Sequence, residues 1–206
     1  WDTARSRSAA AFELRGRTLG IIGVGAIGTR LAEIAGTGFR MRVIGHRRGR
    51  GEMPPGVERA ELDALFERSD FIALALPLTP ETRGLVSAAR IARMMPTAWL
   101  LNLARGPVVD GAALLDALRA GRIGGAALDV YDEQPLAPDH PLRSLPNVIL
   151  TPHVAGLSAE AVERMSTGAA EEVVRILAGE RPRSFINPEA WEASRARRAA
   201  LGHPAE

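Results

Sequence analysis

Short apolar runs of strand length alternate along this chain with stretches whose apolar residues recur at helical spacing. Thr18 to Val24, Met41 to Ile44, Phe71 to Leu76, Trp99 to Leu103, Ala126 to Val130 and Val148 to Leu150 read as strands. Ile27 to Ala35, Leu62 to Arg68, Ala88 to Met94 and Gly111 to Ala120 read as the helices between them, with Asp110 placed to N-cap the last. Strands joined through helices by short connections predict a parallel sheet, because right-handed crossovers lay helices on both of its faces. The expected fold class is α/β, a doubly wound parallel sheet of Rossmann type. Ser158 to Ala178 reads as one long final helix with Gly179 near its C-cap, and the Arg-rich stretch beyond Pro188 as a frayed polar tail.

The turn out of the first strand holds Gly23, Gly25 and Gly28, with Val24, Ala26 and Ile27 between them. Alone, the spacing G-x-G-x-x-G is only a glycine-rich turn. Between an apolar strand and a helical repeat it has the form of a pyrophosphate cradle. Gly23 permits the tight turn, Gly25 lets the backbone approach a phosphate, and Gly28 lets the helix lie close on its strand. Free N–H groups at that helix start, with roughly half an elementary charge of dipole, favour a bound anion.

Composition narrows the chemistry. A chain of 206 residues suits one large domain or one domain with an appendage. No apolar run approaches the ~18 residues of a membrane span and no secretory core opens the chain, so a soluble, cytoplasmic protein without a membrane partner is expected. There is no cysteine and no lysine; all 26 basic residues are arginine. Thiol nucleophiles, thiolate metal sites, Schiff bases and a P-loop lysine are thereby excluded. A formal charge of +2 gives no reason to expect nucleic acid. His46, His140, His153 and His203 remain as near-neutral proton carriers. His140 and His203 carry no motif and read as surface residues, and no metal is expected because the histidines lack convergent zinc spacing.

The end of the second strand bears on the cofactor. A site for NAD places an acid ~20 residues past the glycines on the ribose 2′-hydroxyl, whereas a 2′-phosphate calls for arginine. Here Val43-Ile44-Gly45 runs into His46, Arg47 and Arg48, then Gly49 and Arg50, with no acid in the slot. NADP is therefore favoured over NAD.

Four further segments, in order, are more specific. Leu76-Pro77-Leu78-Thr79-Pro80-Glu81-Thr82-Arg83-Gly84-Leu85, Asn102-Leu103-Ala104-Arg105-Gly106-Pro107-Val108-Val109-Asp110, Ala127-Leu128-Asp129-Val130-Tyr131 and Thr151-Pro152-His153 resemble the D-isomer-specific 2-hydroxyacid dehydrogenase family, which includes phosphoglycerate dehydrogenase and glyoxylate/hydroxypyruvate reductases. The resemblance runs from about Leu14 to Pro188. It implies hydride exchange between a nicotinamide cofactor and a small 2-keto or 2-hydroxy acid. Arg105 would grip the substrate carboxylate and keto oxygen, and His153 would act as general acid and base. A guanidinium suits bidentate carboxylate binding and stays cationic, while imidazole gives and takes protons near neutrality. Pro77, Thr82, Leu103, Ala104, Arg105, Asp129 and His153 would border the cofactor, Asp129 at the nicotinamide carboxamide.

One position departs from the family. Where relatives carry a glutamate before a proline, as partner of the histidine, this chain reads Asp132-Glu133-Gln134-Pro135. Gln134 can orient the ring but supplies no charge, so reduction is expected to weaken at lower pH than in relatives with the carboxylate. A one-residue shift that brings Glu133 into place is the alternative. Formate dehydrogenases of the same superfamily carry glutamine here, which keeps a formate dehydrogenase-like enzyme as a second reading.

The resemblance divides the chain into a remnant of an interdomain linker helix over 1–13, a dinucleotide-binding domain over 14–156, a helix over 157–188 that returns to a substrate domain, and a tail over 189–206. Most of that substrate domain precedes the matching segment in family members. The chain alone is then expected to bind nucleotide and turn over poorly or not at all. A homodimer through the cofactor domain is expected. Related co-repressors use the same scaffold as a dinucleotide-sensing interaction module, which is the non-enzymatic alternative.

Overall fold

The computed structural model describes residues 11–49 and 51–201. The expected linker remnant over 1–13 lies almost wholly outside them, as do Arg50, His203 and the end of the tail. The chain forms two compact units, one ending at Ala155 and one beginning at Gly156.

In the first unit seven strands make one parallel sheet: β1 (Thr18–Ile22), β2 (Arg42–His46), β3 (Val57–Arg59), β4 (Phe71–Leu74), β5 (Trp99–Asn102), β6 (Gly125–Leu128) and β7 (Val148–Leu150). Their spatial order is β3-β2-β1-β4-β5-β6-β7. Helices α1 (Ala26–Glu33), α2 (Leu62–Arg68), α3 (Ala88–Ile91) and α4 (Gly111–Arg119) connect them. Alternation within the strands feeds two cores. Leu19, Ile21 and Val43 pack with Ala32 and Ala35 of α1 and the turn that extends it, while Ile22, Ile44, Ile72, Leu74 and Leu100 pack with Leu65, Phe66, Ile91, Leu114 and Leu118 of the other helices. Both faces of the sheet are covered, as a doubly wound sheet requires.

Several boundaries move inward from the sequence expectation. The first and fourth strands stop at Ile22 and Leu74, because the chain turns where Gly23 and Ala75 begin the edge loops. β3 was not expected: three residues with only Val57 buried leave no alternation to read. Asp110 caps α4 by accepting from the Ala113 N–H at 3.0 Å.

The second unit holds α5 (Ala159–Leu177), capped by Ser158, whose hydroxyl accepts from the Ala161 N–H, and followed by Gly179 at φ +89°. The frayed tail is corrected by the structure: Ala190–Ala200 forms a helix, α6. Its alanines, arginines and glutamate are good helix formers, and Arg198 donates to the carbonyls of Ile176 and Leu177, while Trp191 meets the Phe185 ring edge-on. Among the described residues no helix is long and apolar enough to cross a membrane.

Candidate functional site

Because the strands are parallel, every strand's carboxyl end lies on one edge of the sheet, and the predicted residues cluster there by topology. Gly23 follows β1, His46 ends β2, Pro77 follows β4, Arg105 follows β5, Asp129 follows β6 and His153 follows β7. With neighbouring strands ~4.8 Å apart, the edge from β2 to β7 spans roughly 24 Å.

At β1 the glycines divide their work. Gly23 sits at φ +99°, and a Cβ there would strike the Ala75 carbonyl. A Cβ on Gly28 would strike the carbonyl oxygen of Gly23, so only glycine lets α1 approach this closely. Gly25 is different: nothing lies within 4 Å of where its Cβ would stand. It is also the N-cap of α1 and offers no side-chain acceptor to the first-turn N–H groups. Open space beside uncapped N–H groups fits the pyrophosphate of a dinucleotide. Ile27 and Leu103, 71% and 44% exposed, add apolar surface at the same edge.

At β2 the three basic side chains have different neighbours. His46 Nδ1 lies 3.2 Å from the Ala60 carbonyl, Arg47 donates to the Glu52 carbonyl at 3.2 Å, and Arg48 stands 3.7 Å from the Glu81 carboxylate. Arg59, a residue that sequence reasoning passed over along with its strand, donates to the carbonyls of Gly49 and Gly51 and shapes this loop. Arg59 and Gly49 line a pocket of about 520 Å³ whose wall also includes His46, Arg47, Arg48 and Glu61.

Three buried polar residues set the loops that carry the chemistry. Thr82 accepts from the Thr79 N–H at 2.7 Å and donates to the Pro77 carbonyl at 2.8 Å, pinning the loop after β4. Asn102, 1% exposed, accepts from the Ala104 N–H and donates to the Arg105 carbonyl, fixing the turn from which the exposed Arg105 projects. Its signal in the sequence was a lone amide at the end of an apolar strand. Asp129, 3% exposed, accepts from the Thr151 hydroxyl at 2.6 Å, the Val154 N–H at 2.9 Å and the Ala155 N–H at 3.0 Å. Its carboxylate thus embraces the loop that holds His153, itself at φ +58°. Burial pushes the Asp129 carboxyl up, but these hydrogen bonds and the His153 charge outweigh it and leave it below the ordinary carboxylate value.

Beside the ring, His153 Nδ1 lies 3.0 Å from Gln134 Oε1. Gln134 Nε2 donates to the Tyr131 carbonyl, and the one proton of the Tyr131 hydroxyl faces the Thr151 carbonyl at 2.8 Å and the Leu128 carbonyl at 3.0 Å. His140 faces elsewhere: its Nδ1 accepts from the Leu142 N–H and caps a short turn. Among the described residues no cluster of histidine and carboxylate side chains could hold a metal ion.

Residues 1–155 match the family model for the D-isomer specific 2-hydroxyacid dehydrogenase, NAD binding domain. The chain belongs to this family. Within it, the chain is 47% identical over 180 residues to the glyoxylate reductase of Aeropyrum pernix, an overlap of 86% of this chain and 53% of the relative. The chain spans about half the length of the curated relatives it matches. Among solved structures, a D-isomer specific 2-hydroxyacid dehydrogenase from Xanthobacter autotrophicus in complex with NADPH and MES shares 32% identity at a TM-score of 0.76, covering 92% of this chain and 81% of that one. An NAD-dependent formate dehydrogenase from Staphylococcus aureus in complex with NAD shares 32% identity at the same TM-score, covering 85% of this chain and 53% of that one. As a 2-hydroxyacid dehydrogenase NAD-binding domain, the chain has the Rossmann-like α/β fold expected, and the two solved proteins similar to it hold NADPH in one and NAD in the other.

Proposed function

We propose that this chain is the cofactor-binding part of an NAD(P)-dependent oxidoreductase that interconverts a D-2-hydroxy acid and a 2-keto acid by hydride transfer. One observation carries the reading: an open glycine cradle, a cation on a fixed turn and an amide-oriented imidazole share one edge of the sheet, within a dehydrogenase family. The first-turn N–H groups of α1, from Ala26 to Gly28, would hold the pyrophosphate. When bound, the reduced cofactor supplies the hydride. Arg105 binds the substrate carboxylate and keto oxygen bidentately, neutralising charge that grows on that oxygen. Gln134, turned by its bond to Tyr131, accepts from His153 Nδ1 and leaves Nε2 to give the oxygen its proton in reduction and take it back in oxidation.

NADP is the favoured cofactor, since β2 itself ends in no carboxylate and runs into two guanidiniums, at a pocket where the acidic side chain, Glu61, comes from the start of α2. The substrate is a small 2-keto or 2-hydroxy acid. A homodimer through the cofactor domain is proposed as well, supported by membership of the family.

Gln134 beside His153 also favours a second reading, a formate dehydrogenase-like reaction that moves hydride without a proton. One assay separates the two: loss of NADPH absorbance with glyoxylate or hydroxypyruvate, against NAD reduction with formate, measured on this chain and on the full-length gene product. The first reading requires keto-acid turnover that Arg105→Ala or His153→Ala abolishes. NADPH binding without turnover of either kind in the full-length product contradicts it and supports a dinucleotide-sensing interaction module.

A further inference from the structure

The opposite edge of the sheet holds a second basic concavity, with no role in the chemistry above. A pocket of about 450 Å³ at the amino ends of β1 and β2 is lined by Arg15, Arg17, Arg42, Arg68, Thr18 and Asp70. Among the described residues, two of these four guanidiniums are paired with carboxylates. Asp70 pairs with Arg17 at 3.0 Å and accepts from the Thr18 N–H, and Glu58 of β3 pairs with Arg68 at 2.7 Å. Arg15 and Arg42 have no ion-pair partner among the described residues, which leaves two cationic charges over one concavity.

Backbone bonds fix the spacing of the chain positions that bear these cations. The Gly16 N–H donates to the Arg40 carbonyl and the Arg42 N–H to the Arg17 carbonyl, so the turn that bears Arg15 is stitched to the start of β2. Gly16 takes φ +76°, a conformation that favours glycine, and Thr18 pairs directly with Arg42 across the sheet. Arg17 is steadied further by the Phe12 ring, 5.3 Å from its guanidinium carbon, and Phe12 meets Phe71 in a tilted ring contact. The planar forks of guanidiniums match phosphate oxygens.

We propose that this pocket is an anion site for a phosphate dianion, either inorganic phosphate or the phosphate group of a small monoester, with Arg15 and Arg42 as its ligands and Arg17 and Arg68 completing the basic wall. It lies at the amino edge of the sheet and is separate from the cofactor cradle at the carboxyl edge. The inference does not depend on the proposed reaction.

Amide NMR of the chain, titrated separately with inorganic phosphate and with glycerol phosphate, tests it. Because phosphate can also reach the α1 cradle, the reporters are Gly16 and Thr18, read against Gly25 to Gly28. Saturable shifts at Gly16 and Thr18 are expected, weakened about tenfold or more by Arg42→Gln and by Arg15→Gln, with the cradle resonances of each variant unchanged as the check on folding. Tighter binding of glycerol phosphate than of phosphate assigns a monoester as the ligand, and the reverse assigns the free anion. Shifts at Gly16 and Thr18 that never saturate, or that saturate equally in both variants, overturn the site.

Discussion

His153 Nδ1 and Gln134 Oε1 stand 3.0 Å apart, so the proposed acid and base has a neutral amide as its partner in this chain. An amide fixes the ring's orientation and supplies no negative charge. Replacing it with a carboxylate, Gln134→Glu, favours the protonated ring, which is the form that reduction consumes. The pH above which keto-acid reduction fails is therefore expected to rise by about one unit, measured as kcat/KM against pH. An unchanged profile removes Gln134 from the proton's path.

Asp129 binds the His153 loop more than any other side chain does, through Thr151, Val154 and Ala155. Asn in its place keeps one acceptor oxygen and turns an NH2 toward donors. Asp129→Asn is expected to cost about 1–3 kcal/mol in urea unfolding. The carboxyl's value is depressed in the folded chain, so the stability it confers is present above the unfolded value near ~3.9 and fades as pH falls through the lower folded value. The penalty of the variant should accordingly shrink in acid below about pH 4.

Gly25 and Gly28 separate binding from folding. Gly28→Ala drives a methyl group into the Gly23 carbonyl and is expected to destabilise by about 1–3 kcal/mol. Gly25→Ala meets nothing in the protein, so its melting point should match the parent while its affinity for dinucleotide falls. Thermal melts and nucleotide titrations of the two variants should give opposite rankings.

Arg47 and Arg48 are expected to act on the 2′-phosphate alone. Each replacement by Ala should weaken NADPH binding about tenfold and leave NADH within a factor of about two, as charge-assisted hydrogen bonds of ~1.5–3 kcal/mol imply. Arg48 shares its charge with Glu81, both side chains being largely exposed, so its effect should be the smaller. Equal losses for both nucleotides contradict the preference for NADP.

Where pattern and packing agreed, the sequence was readable. Leu19, Ile21 and Ile22 announce β1, and Gly23 to Gly28 its turn, because burial and backbone geometry act on residues that lie side by side. Val57–Arg59 escaped because a three-residue edge strand buries one side chain, and its existence depends on pairing with β2. Ala190–Ala200 escaped because its arginines suggested a solvated tail, while its helix is tied to the end of α5 through Arg198. Asp129 was legible as a residue and illegible as a clamp, since its three donors lie 22 to 26 positions downstream.

Calorimetric titration of this chain with NADPH and with NADH tests the central claim most directly. The account predicts saturable one-to-one binding, tighter for NADPH, that Gly25→Ala weakens without lowering the melting point. Absence of binding by either nucleotide at millimolar concentration would contradict it.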